Sequence, residues 1–339
     1  GMDWEAIRQA SVASKRAREP TLELVRIEEC GPLWTTVTGM PARFEPEPAA
    51  DAAARAPAER FAAALNARLA RSRQRDLFIF VHGFNTEFDD NLELAAELHH
   101  YLGREGAVVS YAWPSRDSLI SYTADKANAT YSTRMFRLFL DYLARETDAR
   151  RIHILAHSAG SPIAVNALRQ LRLVNHDRGA QAVRERYRIG QFVLAAPDMD
   201  LMHFYNAWID GFYEIPDRVT IYASTKDHAL ALSAWIFHDV RLGESIDSLD
   251  RGMLDLLSHA TNLELISVAA AEKDHGSWLG HSYFHEDPWV SSDLLLLWKS
   301  GLGAGDRGLT RDEKAAVWGF PEDYALRVRE IAARISGGE

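Results

Sequence analysis

From residue 76 onward, short uninterrupted apolar runs recur along the chain, each followed by a stretch with helical periodicity. The runs at 77–81, 107–112, 151–156, 189–196, 218–223 and 262–268 lack the apolar–polar alternation of a half-exposed strand. Parallel strands covered on both faces need such continuous runs. Their alternation with helices predicts βα units in a mostly parallel sheet. One helix is expected to open at Thr86, with Asp89 three residues on as a capping box and Phe88, Leu92, Ala95 and Leu102 along one face. Another is expected over 134–145, and a third after Ser158.

Upstream, 22–28 and 33–37 read as two short strands parted by Cys30, Gly31 and Pro32, the pattern of a hairpin. Prolines and alanines crowd 41–60, which predicts a surface connection running into an Ala-rich helix that ends near 68–75. The arginines there read as a solvated helix end. Near the C-terminus Tyr324, Leu326, Val328 and Ile331 suggest a helix packed on the body. The expected organisation is a hairpin, linker and helix over 1–75, an α/β body over 76–300 and a helical extension over 301–339.

Composition narrows the function classes. The chain of 339 residues carries 38 Lys and Arg against 48 Asp and Glu, a formal charge of −10, which argues against a nucleic-acid partner. Its single cysteine, Cys30, excludes an intramolecular disulfide scaffold and a cysteine metal cluster. Residues 3–20 are charged and have no apolar run, so no signal peptide and a cytoplasmic location are expected. The most apolar stretches, 230–237 and 294–298, fall short of the roughly 18 residues of a membrane span. His99, His100 and His153 have no second cluster at ligand spacing, and neither metal nor cofactor is expected.

The run at 151–156 leads directly into Ala156-His157-Ser158-Ala159-Gly160 and then an apolar helix with Ala164, Leu168 and Leu171. A serine at the apex of a strand–turn–helix needs small residues two before and two after it, because the two backbones nearly touch there. Ala156 and Gly160 meet that requirement, and Pro162 is tolerated in the first helical turn. Ser158 is therefore the candidate nucleophile, with helix capping as the ordinary alternative. The run at 77–81 ends in His82-Gly83-Phe84-Asn85, a loop able to supply half of an oxyanion hole through the N–H of Phe84 or Asn85. Ala159, the residue after the nucleophile, would supply the other half.

Taken together, Val81-His82-Gly83-Phe84-Asn85-Thr86, Tyr111-Ala112-Trp113-Pro114-Ser115, Ile154-Leu155-Ala156-His157-Ser158, Leu194-Ala195-Ala196-Pro197-Asp198, Tyr222-Ala223-Ser224 with Asp227, and His281-Ser282-Tyr283-Phe284 form an ordered set. The set resembles the bacterial α/β-hydrolase family catalogued as domain of unknown function 900, over about 75–300. The resemblance implies an α/β-hydrolase fold and a serine triad, and names no substrate. Ala159 departs from the methionine expected in relatives.

In this fold the triad runs serine, acid, histidine along the chain. Asp227 is the first candidate acid, in the turn after the run ending at Ala223, and Asp198 and Asp200 are its rivals. A base in the loop after the last strand leaves His275, His281 and His285, of which His281 matches the family motif. Only about twenty residues separate Ala196 from Arg218, so no large cap domain is expected there. Trp113, Tyr122, Phe204, Tyr205 and Trp208 are candidates for an apolar acyl pocket, with core packing as the alternative. The expected activity is hydrolysis of a small to medium carboxylic ester by an acyl-enzyme route. Amide or thioester cleavage by the same triad, or a non-catalytic binding module, are the alternatives. The sequence leaves the oligomeric state open.

Overall fold

The computed structural model describes residues 26–33, 48–115, 122–199, 201–223, 260–268, 270, 283–312 and 317–337. Its centre is an 8-stranded sheet in the order β2-β1-β3-β4-β5-β6-β8-β7. The strands are β1 (Asp76–Val81), β2 (Ala107–Tyr111), β3 (Arg151–His157), β4 (Ile189–Ala195), β5 (Arg218–Ala223), β6 (Leu263–Ser267), β7 (Thr310–Asp312) and β8 (Val317–Gly319). Every pairing is parallel except that of β7 with β8.

The continuous apolar runs are explained by burial on both sides. In β1, Leu77, Ile79 and Val81 enter one core cluster while Phe78 and Phe80 enter the other. Each such side chain removed from water contributes about 1.5–3 kcal/mol, so a polar residue in either register would be costly. The first face is covered by α1 (Pro48–Leu69), by α3 (Tyr122–Glu146) and by α4 (Gly160–Val174). The second is covered by α2 (Phe88–Tyr101) and, further along the chain, by Pro288–Ser300 and Tyr324–Gly337. The remaining helices are α5 (Ala180–Tyr187), α6 (Leu201–Ile209) and α7 (Tyr283–Glu286), so that Pro288–Ser300 is α8 and Tyr324–Gly337 is α9.

Several expectations are corrected. Of the N-terminal hairpin, residues 26–33 are described and contain no strand, and the rest lies outside the described residues. Cys30 O instead accepts from Arg60 Nη2 at 2.6 Å, which ties this segment to α1. The helix α1 starts at Pro48, inside the stretch expected as a connection, because proline is tolerated at a first helical position. The helix expected to open at Thr86 begins at Phe88, and its N-cap Glu87 makes no side-chain capping bond. The Thr86 hydroxyl turns back to Gly83 O and Phe84 O, so there is no capping box. Asn91, Ala95 and Leu98 form the buried side of α2 and Leu102 is buried at its C-cap, while Phe88 is exposed. The C-terminal extension is not only helical, since it adds β7 and β8 to the sheet.

A buried ionic network anchors the β5–β6 part of the sheet. Arg307, fully buried, donates to Asp293 at 2.8 and 3.1 Å and to Glu264 at 3.0 Å. The hydroxyls of Tyr222 and Tyr324 also donate to Asp293, at 2.6 and 3.1 Å. Removing Arg307 or Asp293 would leave an uncompensated buried charge, at a cost of about 3–5 kcal/mol. The network fixes Tyr222, next to last in β5, and so holds the carboxyl end of that strand.

Candidate active site

Ser158 follows β3 at φ +48°, a left-handed conformation that residues with a Cβ adopt at a cost of about 1–2 kcal/mol. Its N–H donates to Ala195 O at 3.0 Å, and its carbonyl accepts from Ser161 N at 2.9 Å and Asp198 N at 3.1 Å. The turn is thus bonded to the end of β4 on one side and opens α4 on the other. Asn85 after β1 and Ala196 after β4 also have positive φ, +55° and +44°. Such strain at the carboxyl edge of a parallel sheet motivates a functional reading of that edge.

Two glycines permit the turn. A Cβ on Gly160 would stand 2.4 Å from His82 O and 2.7 Å from Val81 O, so α4 can start here only without a side chain. A Cβ on Gly83 would stand 3.0 Å from His157 Nδ1 and 3.1 Å from Ser158 Cβ. The His-Gly loop therefore lies directly against the serine. Gly160→Ala is expected to destabilise the fold by on the order of 3 kcal/mol, since the contact is with backbone rather than a movable side chain. Urea unfolding at constant slope measures it, and a loss below about 0.5 kcal/mol would refute this close approach.

Ser158 is 7% exposed, Ala159 and Phe84 are half-buried, and Asn85 is exposed. The Asn85 N–H, one of the two candidate loop donors, donates to Ser115 Oγ at 2.9 Å. Asp198, exposed at the surface, sits beside the turn through its backbone bond to Ser158. Asp227, Asp200, His275 and His281 lie outside the described residues. His285 falls in α7, its imidazole pushed below the usual range by burial. His99 accepts from Arg68, and His153 Nδ1 accepts from Gln191 N–H. Among the described residues no group of His, Cys, Asp or Glu is arranged to hold a metal ion, and no helix is long and apolar enough to cross a membrane.

The candidate pocket aromatics occupy varied settings. Tyr122 opens α3. Phe204 and Trp208, on the inner side of α6, are each 4% exposed and pack edge-on against Phe212. Core packing thus accounts for both rings. Tyr205 is half-buried, and Trp113 is buried against His82. Met202, His203, Asn206 and Ile209, from the outer side of α6, line an open groove of about 540 Å³ with Arg169 and Asp210. This groove includes neither Ser158 nor the His-Gly loop.

Sequence reasoning missed the engagement of Asn85 by Ser115 and the reciprocal bonds between His82 and Trp113, which join residues about thirty positions apart. The only sequence signal was the Trp-Pro-Ser string itself, legible as part of a family pattern but not as a contact.

A strained serine between a parallel strand and a helix, with a glycine loop pressed against it, defines an α/β hydrolase. The family described as Alpha/beta hydrolase of unknown function (DUF900) matches residues 58–297, and the chain belongs to it. The uncharacterized protein alr1448 of Nostoc sp. is 24% identical over 110 residues, covering 28% of this chain and 28% of that protein. The chain thus aligns with under a third of that relative's length. Esterase B from Lactobacillus rhamnosis is similar at 12% identity and a TM-score of 0.39, over 79% of this chain and 81% of that one. Its complex with a tributyrin phosphonate inhibitor matches at 12% identity and 0.38, over 87% and 100%.

Proposed function

We propose that the protein is a serine hydrolase of carboxylic esters with Ser158 as nucleophile. The observation that carries this reading is the left-handed backbone of Ser158 in a strand–turn–helix closed by Gly160. Neither helix capping nor core packing requires that conformation at a serine.

In the proposed mechanism Ser158 Oγ attacks the ester carbonyl while His281, the base assigned from the family motif, takes its proton. The oxyanion accepts from the N–H groups of Ala159 and of the Phe84 loop. The imidazolium then protonates the departing alkoxide, leaving an acyl-enzyme. Water, deprotonated by the same imidazole, releases the acid and returns the proton to Ser158. Asp227 would hold the imidazole tautomer, with Asp198 as the rival. The partner would be a small-molecule ester, and the proposed chemistry calls for no cofactor. Labelling by a fluorophosphonate, absent in Ser158→Ala, tests the reading; an unlabelled wild-type protein without ester turnover would overturn it.

Short to medium acyl groups are the expected preference, because the small Ala159 side chain beside the nucleophile leaves space for an acyl chain. Each methylene that fits should contribute up to about 0.8 kcal/mol until the pocket ends. Comparing kcat/KM over p-nitrophenyl esters of increasing chain length tests this. A maximum at the longest chain, or activity only at a lipid interface, would contradict it.

A further inference from the structure

His82 is almost completely buried, at 2% exposure, yet both of its ring nitrogens have partners. Nδ1 lies 2.8 Å from Gly83 O, and a carbonyl can only accept, so Nδ1 carries the proton. Nε2 receives the Trp113 backbone N–H at 3.1 Å, so Nε2 presents its lone pair. The two bonds are mutually consistent only for a neutral ring with its hydrogen on Nδ1. Trp113 returns a bond from its indole, Nε1–H to His82 O at 2.8 Å, and the two rings stack at 5.4 Å and 12°. Two residues on, Ser115 Oγ takes the Asn85 N–H at 2.9 Å.

The Trp-Pro-Ser segment after β2 therefore grips the His-Gly loop at both ends. His82 O is also the atom that a Cβ at Gly160 would strike, and Gly83 is the residue packed on Ser158. Anything that shifts His82 shifts the loop relative to the nucleophile. Its nitrogens are both occupied, which removes His82 from general-base duty.

We propose that His82 is a positioning residue for the oxyanion loop: its neutral ring, clamped between Gly83 O and Trp113, sets the loop against Ser158. The proposal rests on the serine-hydrolase reading. Oxyanion donors act on charge that develops in the transition state, so loosening the clamp lowers kcat and leaves KM nearly unchanged.

The test begins with wild-type protein, in which fluorophosphonate labelling of Ser158 checks the underlying reading. Without label or turnover, that reading and the clamp fall together. With label present, nitrogen-15 NMR of histidine-labelled protein at neutral pH should show His82 neutral and protonated on Nδ1. His82→Phe keeps the ring stack and removes both ring hydrogen bonds; kcat on p-nitrophenyl butyrate should fall about 10- to 100-fold, with KM within about twofold. Trp113→Phe, which removes the indole N–H and part of the stacked ring but keeps the backbone N–H bond to His82 Nε2, should give a smaller kcat loss of the same kind and carries the test if His82→Phe does not fold. An Nε2-protonated or charged His82, or folded variants with unchanged kcat or with a change in KM alone, would overturn the clamp while leaving the Ser158 assignment intact.

Discussion

Replacing Ser158 by alanine is expected to lower kcat on an activated ester by about 10⁴- to 10⁶-fold while the protein stays folded. The hydroxyl is the only group the substitution removes. Alanine bears the same Cβ strain at φ +48°, and the backbone bonds to Ala195, Ser161 and Asp198 do not involve the side chain. Stability should therefore barely change, which separates loss of chemistry from loss of structure. Residual turnover would come from the oxyanion donors and from binding. Steady-state kinetics with a circular-dichroism melt of the same sample decides the matter, and undiminished turnover in a folded Ser158→Ala would remove the nucleophile assignment.

The parts of this molecule legible in sequence are those where one local demand fixes the residue types. Strands β1, β3 and β4 lie under helices on both faces, so their apolar runs have no ambiguity of side. The turn at Ser158 was legible for a steric reason, since only small residues fit two positions either side. By contrast β7 and β8, of three residues each, carry too few positions to show a period, and β7 is exposed throughout. The start of α2 was misplaced because a threonine hydroxyl that could cap a helix bonds instead to Gly83 O and Phe84 O. Trp113 and His82 could not be joined from sequence, since a reciprocal clamp between loops leaves no periodic trace. The aromatics of α6 show the same limit: Phe204 and Trp208 fit core or pocket equally by composition, and only packing against Phe212 tells which.

The acid of the proposed triad gives the second large effect. Asp227→Asn is expected to reduce kcat by about 10⁴-fold, because an amide in place of the carboxylate holds the imidazole in the wrong tautomer and does not stabilise its cation. Asp198→Asn should cost at most about tenfold. The turn at Ser158 depends on the backbone N–H of Asp198, which the substitution preserves. The order of the two losses carries the assignment, since a general weakening of the fold would lower both without ranking them. A pH profile adds an independent measure: the true partner of the histidine stabilises its protonated form, so neutralising that acid lowers the imidazole pKa and moves the acid limb of kcat/KM to lower pH. If Asp198→Asn suffers the steeper loss and shifts the limb while Asp227→Asn does not, the acid is Asp198, and the triad is built from the strand bonded directly to the nucleophile turn.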